Sequence, residues 1–164
     1  MNAVYKDKLI RSIIDIKPSL YFLMLVIVLL TQSCATARNE DKKAQTLHVE
    51  LSEWSIKTDR GILRPGKIRF QAMNQGTVPH EMVVVKTDVP VDGFKIENGR
   101  VEEDAAGEVM GEIESFQPGS VQTLTLDLSE GSYVLFCNNM EADEHEGHYQ
   151  KGMRISLEVK PVGS

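Results

Sequence analysis

The chain has 164 residues, enough for about one domain. It carries 18 Lys+Arg against 24 Asp+Glu, a formal net charge of −6. That balance argues against nucleic acid as a partner, because neutralising phosphates requires a basic face.

The first 33 residues read as a signal segment. Lys6, Lys8, Arg11 and Lys17 precede an apolar run from Leu20 to Leu30. The run is short for a membrane span, which needs roughly 20 residues, and has the length of a signal-peptide hydrophobic region. Thr31-Gln32-Ser33-Cys34-Ala35 follows and resembles a bacterial lipoprotein signal, which implies lipid on Cys34 and a tether to a bacterial membrane. Ordinary export with cleavage nearby and an uncleaved anchor are the alternatives. All three place the domain outside the cytoplasm, in the periplasm or another extracytoplasmic space. Residues 35–45 are polar and aperiodic, as in a flexible tether. The remainder, 46–161, reads as one domain.

From Thr46 the pattern is one of short β segments. Leu47, Val49 and Leu51 alternate with His48, Glu50 and Ser52, predicting a half-buried strand with His48 facing solvent. Arg64-Pro65-Gly66-Lys67 is a turn signal, Ile68 to Met73 a strand, and Asn74-Gln75-Gly76 its end. Met82 to Val85 is a continuous apolar run suited to a central strand. Residues 88–108 are polar and irregular and are expected to cross the outside. After the turn at 116–120, Leu124, Leu126 and Leu128 lie on one phase of a strand. Ser132 to Cys137 and Met153 to Lys160 complete the set, the last with Met153, Ile155, Leu157 and Val159 on one face. Seven or eight short strands with regular turn signals and no long amphipathic helix predict an all-β sandwich or barrel.

The chemistry gathers at strand ends. His80 opens a strand, Cys137 closes one, His148 lies in the loop that follows, and Met153 starts the last strand. Two imidazoles, a thiolate and a weak thioether form the ligand chemistry of blue-copper electron transfer. With Cys34 lipidated, Cys137 has no disulfide partner. A lone thiol outside the cytoplasm is a liability unless it is buried or used.

Three stretches carry a family resemblance: Asn74-Gln75-Gly76-Thr77-Val78-Pro79-His80-Glu81, Gly131-Ser132-Tyr133-Val134-Leu135-Phe136-Cys137, and Gly147-His148-Tyr149-Gln150-Lys151-Gly152-Met153. Together they resemble the plastocyanin- and azurin-like cupredoxins. The resemblance implies a Greek-key β-sandwich over about 46–160, with one copper ion held by His80, Cys137, His148 and Met153. The chain departs from the familiar pattern between Cys137 and His148. That segment is long, lacks a proline, and carries Glu141, Asp143, Glu144 and Glu146. It places His145 as a rival to His148 and Met140 as a rival to Met153.

The expected function is single-copper electron transfer with a redox partner protein, which an acidic loop would suit if the partner's docking face is basic. Copper storage or delivery is the alternative, since His145 and Met140 would serve as spare ligands. An enzyme is not expected. Four histidines are too few for a multicopper oxidase, and a dinuclear centre of the cytochrome-oxidase kind needs two nearby cysteines. A monomer is expected.

Overall fold

The computed structural model describes residues 44–142 and 145–161, which belong to a compact unit that begins at Ala44. The signal segment, Cys34 and nearly all of the tether lie outside the described residues, as do Asp143 and Glu144. No helix among the described residues is long and apolar enough to cross a membrane.

The strands are β1 (Gln45–Ser52), β2 (Ser55–Thr58), β3 (Ile62–Leu63), β4 (Gly66–Asn74), β5 (His80–Lys86), β6 (Ile96–Glu97), β7 (Arg100–Val101), β8 (Glu108–Phe116), β9 (Val121–Leu128), β10 (Gly131–Phe136) and β11 (Arg154–Val159). Two one-turn helices join them, α1 (Glu103–Ala106) and α2 (His148–Lys151). One sheet has the order β2-β1-β4-β9, and the other β3-β11-β10-β5-β8. Pairing is antiparallel except for β1 with β4 and β3 with β11. The domain is an all-β sandwich, as the alternating segments predict.

Binary patterning explains the layers. On β1, Leu47, Val49 and Leu51 are buried while His48 and Glu50 are exposed. On β4, Ile68, Phe70 and Ala72 point the same way. They meet Met82, Val84, Tyr133, Leu135, Leu157 and Val159 of the other sheet in one inner core. Burying these side chains supplies the main drive to fold, about 1.5–3 kcal/mol for each large one.

The second sheet is covered on both faces, which is why its central strands read as unbroken apolar runs. Val83, Val85, Val134 and Phe136 turn away from the inner core and form an outer cluster with Phe94, Val101, Ala106 and Tyr149. Residues 88–108 therefore act as more than a polar crossing. They fold into a hairpin, β6–β7, and the turn α1. The hairpin turn is Asn98-Gly99, with φ of 51° and 80°. This pair is the sequence signal for a two-residue turn that needs positive φ at both positions.

Phe94 anchors this layer. Its ring stacks on Tyr149 at 5.5 Å and meets Phe136 edge-on at 5.5 Å. Phe94→Ala is expected to cost about 3–5 kcal/mol, read as a drop in the denaturant midpoint. A loss below about 1 kcal/mol would show that the outer cluster adds little.

Candidate metal centre

Three donors converge at one end of the sandwich. His80 is the first residue of β5, Cys137 follows the end of β10, and His148 is the first residue of α2. All three are fully buried. Their ligand atoms lie within 4.8 Å of one another. His148 Nδ1 is 3.3 Å from His80 Nδ1 and 3.3 Å from Cys137 Sγ.

The backbone holds each donor in place. Ahead of His80, buried Asn74 donates from Nδ2 to the carbonyls of Val78 (2.9 Å) and Phe116 (3.0 Å), and its Oδ1 accepts from Gly76 N–H (2.9 Å). Glu53, in the link between β1 and β2, accepts at Oε1 from Thr77 N–H (2.7 Å) and Val78 N–H (3.0 Å). Cys137 N–H donates to Met153 O at 3.1 Å, and Met153 N–H donates to His148 O at 3.0 Å. Gly152, at φ 122°, reverses the chain after α2 so that this second bond can form. Met153 is fully buried in the inner core together with Cys137, and its backbone is tied to Cys137 and His148.

The residues after Cys137 lock the long segment. Asn138 Oδ1 accepts from Val101 N–H (2.7 Å), and its Nδ2 donates to Val101 O (3.1 Å) and Glu103 Oε1 (2.9 Å). Asn139 Nδ2 donates to Pro79 O (3.1 Å) and Ser115 Oγ (2.9 Å), while Asn139 O accepts from His148 N–H (2.8 Å). One residue thus joins the loop before His80, strand β8 and the start of α2.

Of the two rivals, His145 is exposed and is not one of the three converging donors. Met140 packs its sulfur against the β6–β7 turn, where a Cβ on Gly99 would collide with it. His48 faces solvent. His148 is on a helical turn, where the sequence suggested a loop.

The electrostatics favour a neutral imidazole and a sheltered sulfur. Burial lowers the His80 pKa, as does His148 beside it, and Glu53 opposes the shift. Burial pushes the Cys137 thiol up to about 12, against N–H groups of Glu81 and Asn139 that favour the thiolate. The Glu81 N–H lies 3.2 Å from Sγ. Glu81 itself is pushed up to about 7, by burial and then by Glu103 and Glu112 nearby.

Sequence reasoning missed three neighbours of the donors. Glu53 Oε1 lies 3.4 Å from His80 Nε2, and Glu141 Oε1 lies 3.3 Å from His148 Nε2. The Trp54 ring makes a T-shaped contact with His148 at 4.9 Å, and Lys151 Nζ lies 4.0 Å from its centroid. Nothing local in the sequence marks Glu53 or Trp54, because only the pairing of the two sheets brings the β1–β2 link to the histidines.

Neither a family model nor a curated protein sequence matches the chain. Solved structures do. A dithionite-reduced auracyanin from the photosynthetic bacterium Roseiflexus castenholzii aligns over 72% of this chain and 98% of its own, at 21% identity and a TM-score of 0.50. Auracyanin B aligns over 72% and 90%, at 21% identity and a TM-score of 0.51. The fold is that of the cupredoxins. In this cupredoxin sandwich the converging donors sit where β5 begins and β10 ends, with α2 closing over them just before β11.

The three donors suit copper by their own chemistry. Imidazole and thiolate bind both oxidation states, and a site sheltered from water protects the thiolate. The surroundings of the donors are arranged to match. Sγ receives an N–H, both Nδ1 atoms face the common centre, and the Nε2 atoms face carboxylates.

Proposed function

We propose that the chain is a mononuclear copper protein that transfers electrons, in which His80, Cys137 and His148 would be the principal ligands and Met153 a weak fourth one. The observation that carries the reading is the buried convergence of two Nδ1 atoms and one Sγ within 4.8 Å. Bound copper would supply a one-electron couple, with the thioether favouring the reduced ion.

The residues of the chain supply rigidity and shelter. Asn74, Asn138 and Asn139 fix the three donor-bearing segments through side-chain bonds to backbone. A cage set in advance limits the rearrangement that a change of charge requires. The Trp54 ring packs against the fully buried His148 imidazole. Enclosure of all three donors weighs against hand-off of the metal, and so against storage or delivery. An electron can cross a buried imidazole, whereas an ion has to escape it.

A redox partner with a basic face fits the acidic side chains at this end. Glu81, Glu103 and Glu112 bring their carboxylates within 4.8 Å of one another, and Glu103 accepts from Asn138 beside Cys137. The role is that of a carrier, with no reaction catalysed by this chain.

The test loads the full-length chain with Cu(II) and records visible and paramagnetic-resonance spectra. Strong thiolate-to-copper absorption with reversible reduction is expected. A colourless protein that takes only Cu(I) and yields it to a chelator would establish delivery instead. Lipid tethering at Cys34 and a site outside the cytoplasm belong to the same proposal. Cys34→Ala is expected to move the protein from the membrane to the soluble fraction and to abolish labelling by fatty acid. Continued membrane association would point to an uncleaved anchor.

A further inference from the structure

Each donor histidine turns its far nitrogen towards a carboxylate. The contacts are 3.4 Å for His80 Nε2 with Glu53 and 3.3 Å for His148 Nε2 with Glu141. These are longer than a well-formed N–H···O bond, so they act as charge–dipole contacts that still favour a proton on Nε2.

The Glu53 contact is built into the fold. Its Oε1 is held by two backbone N–H groups of the 74–80 turn. Gly76 leaves the space for it, since a Cβ there would collide with Glu53 Oε1 and lie 2.7 Å from His80 Nε2. Glu141 is looser, with 38% of its side chain exposed. It lies in the long segment that distinguishes this chain.

Resting on the copper reading above, we propose that Glu53 and Glu141 are positioning residues that hold both imidazoles in the Nε2–H form and bias the centre towards the oxidised ion. With Nε2 protonated, the lone pair is on Nδ1, the atom that faces Cys137 and the opposite histidine. Anionic partners raise the basicity of the ligated nitrogen and add negative charge close to the ion. Both effects favour Cu(II) over Cu(I). The acidic insert then has a chemical role at the centre itself.

The test compares the full-length chain with Glu53→Gln, Glu141→Gln and the double variant. In the metal-free protein at pH 8, imidazole nitrogen shifts should report His80 and His148 as Nε2–H. Each Gln variant should raise the Nδ1–H population of its own histidine and leave the other unchanged. In the loaded protein, each substitution should lower the ratio of Cu(II) to Cu(I) affinity by about tenfold, which raises the midpoint by about 59 mV. Glu141→Gln, at a half-exposed position, keeps the test open if Glu53→Gln fails to fold. Unchanged tautomers and an unchanged ratio in a chain that binds copper would overturn this proposal alone. A chain that takes up no copper would overturn the proposed function, and the bias towards Cu(II) with it.

Discussion

Replacing Cys137 with serine should leave a folded, colourless protein. The two side chains are close in size, and a serine hydroxyl can still accept the N–H that Glu81 donates to Sγ. What disappears is the thiolate, and with it the charge transfer that gives a blue-copper centre its visible absorption. Copper affinity should fall by on the order of 100-fold or more, beyond the roughly 10–100-fold that loss of an outer partner costs. Cu(I) should suffer most, being the softer ion. Colour that survived would overturn the ligand assignment. The same thiol fixes the pH dependence of loading. Burial pushes it up to about 12, so at neutral pH it carries a proton that the metal must displace. Affinity should therefore rise with pH, by about tenfold per unit, in competition titrations between pH 6 and 8. A flat profile would show that the thiol is not a ligand.

The second large effect separates two histidines three residues apart. His148→Ala should weaken Cu(II) binding by about 100-fold or more and remove or strongly alter the visible band. His145→Ala should change binding by less than about twofold. The reason is position. His148 is fully buried with Nδ1 3.3 Å from Sγ, whereas His145 is exposed. His148→Ala also opens a buried cavity beside Trp54, so its fold should be checked by near-ultraviolet circular dichroism. Reversal of the two effects would move the ligand to His145 and require the 138–147 segment to rearrange on loading.

Strands with one clean face are legible in the amino-acid sequence. β1 and β4 alternate because one side packs on the inner core and the other meets water. β8 was not legible, and its register explains why. Between the pairings His80↔Phe116 and Met82↔Ile113 it carries an extra residue, and it carries another between Val84↔Gly111 and Val85↔Val109. Each bulge flips the phase, so an edge strand of nine residues shows no period of two. The β6–β7 hairpin did have a local signal in Asn98-Gly99, hidden in a stretch that is otherwise polar. His80 and Cys137 were legible as donors because each sits at the end of a readable strand. The Gly147–Met153 motif already favoured His148 over His145, and the fold adds a difference that the shared acidic stretch does not show, burying the one and exposing the other. Glu53 and Trp54 were invisible for a further reason. Their role depends on which strand of one sheet faces which end of the other, and no window of sequence contains that.

The β6–β7 hairpin also sets a rule for re-engineering this scaffold. Its backbone is bonded to Asn138, Arg100 donates to Asn138 O at 3.0 Å, and a Cβ on Gly147 would collide with Gly99 O. Both ends of the stretch between Cys137 and His148 are therefore fitted to the hairpin, so the two pieces form a single exchangeable part. Grafting a short ligand loop from another copper protein onto this sandwich would strip the hairpin of its partner and uncover the apolar layer beneath. A transplant that carries loop and hairpin together is the one with a chance to fold.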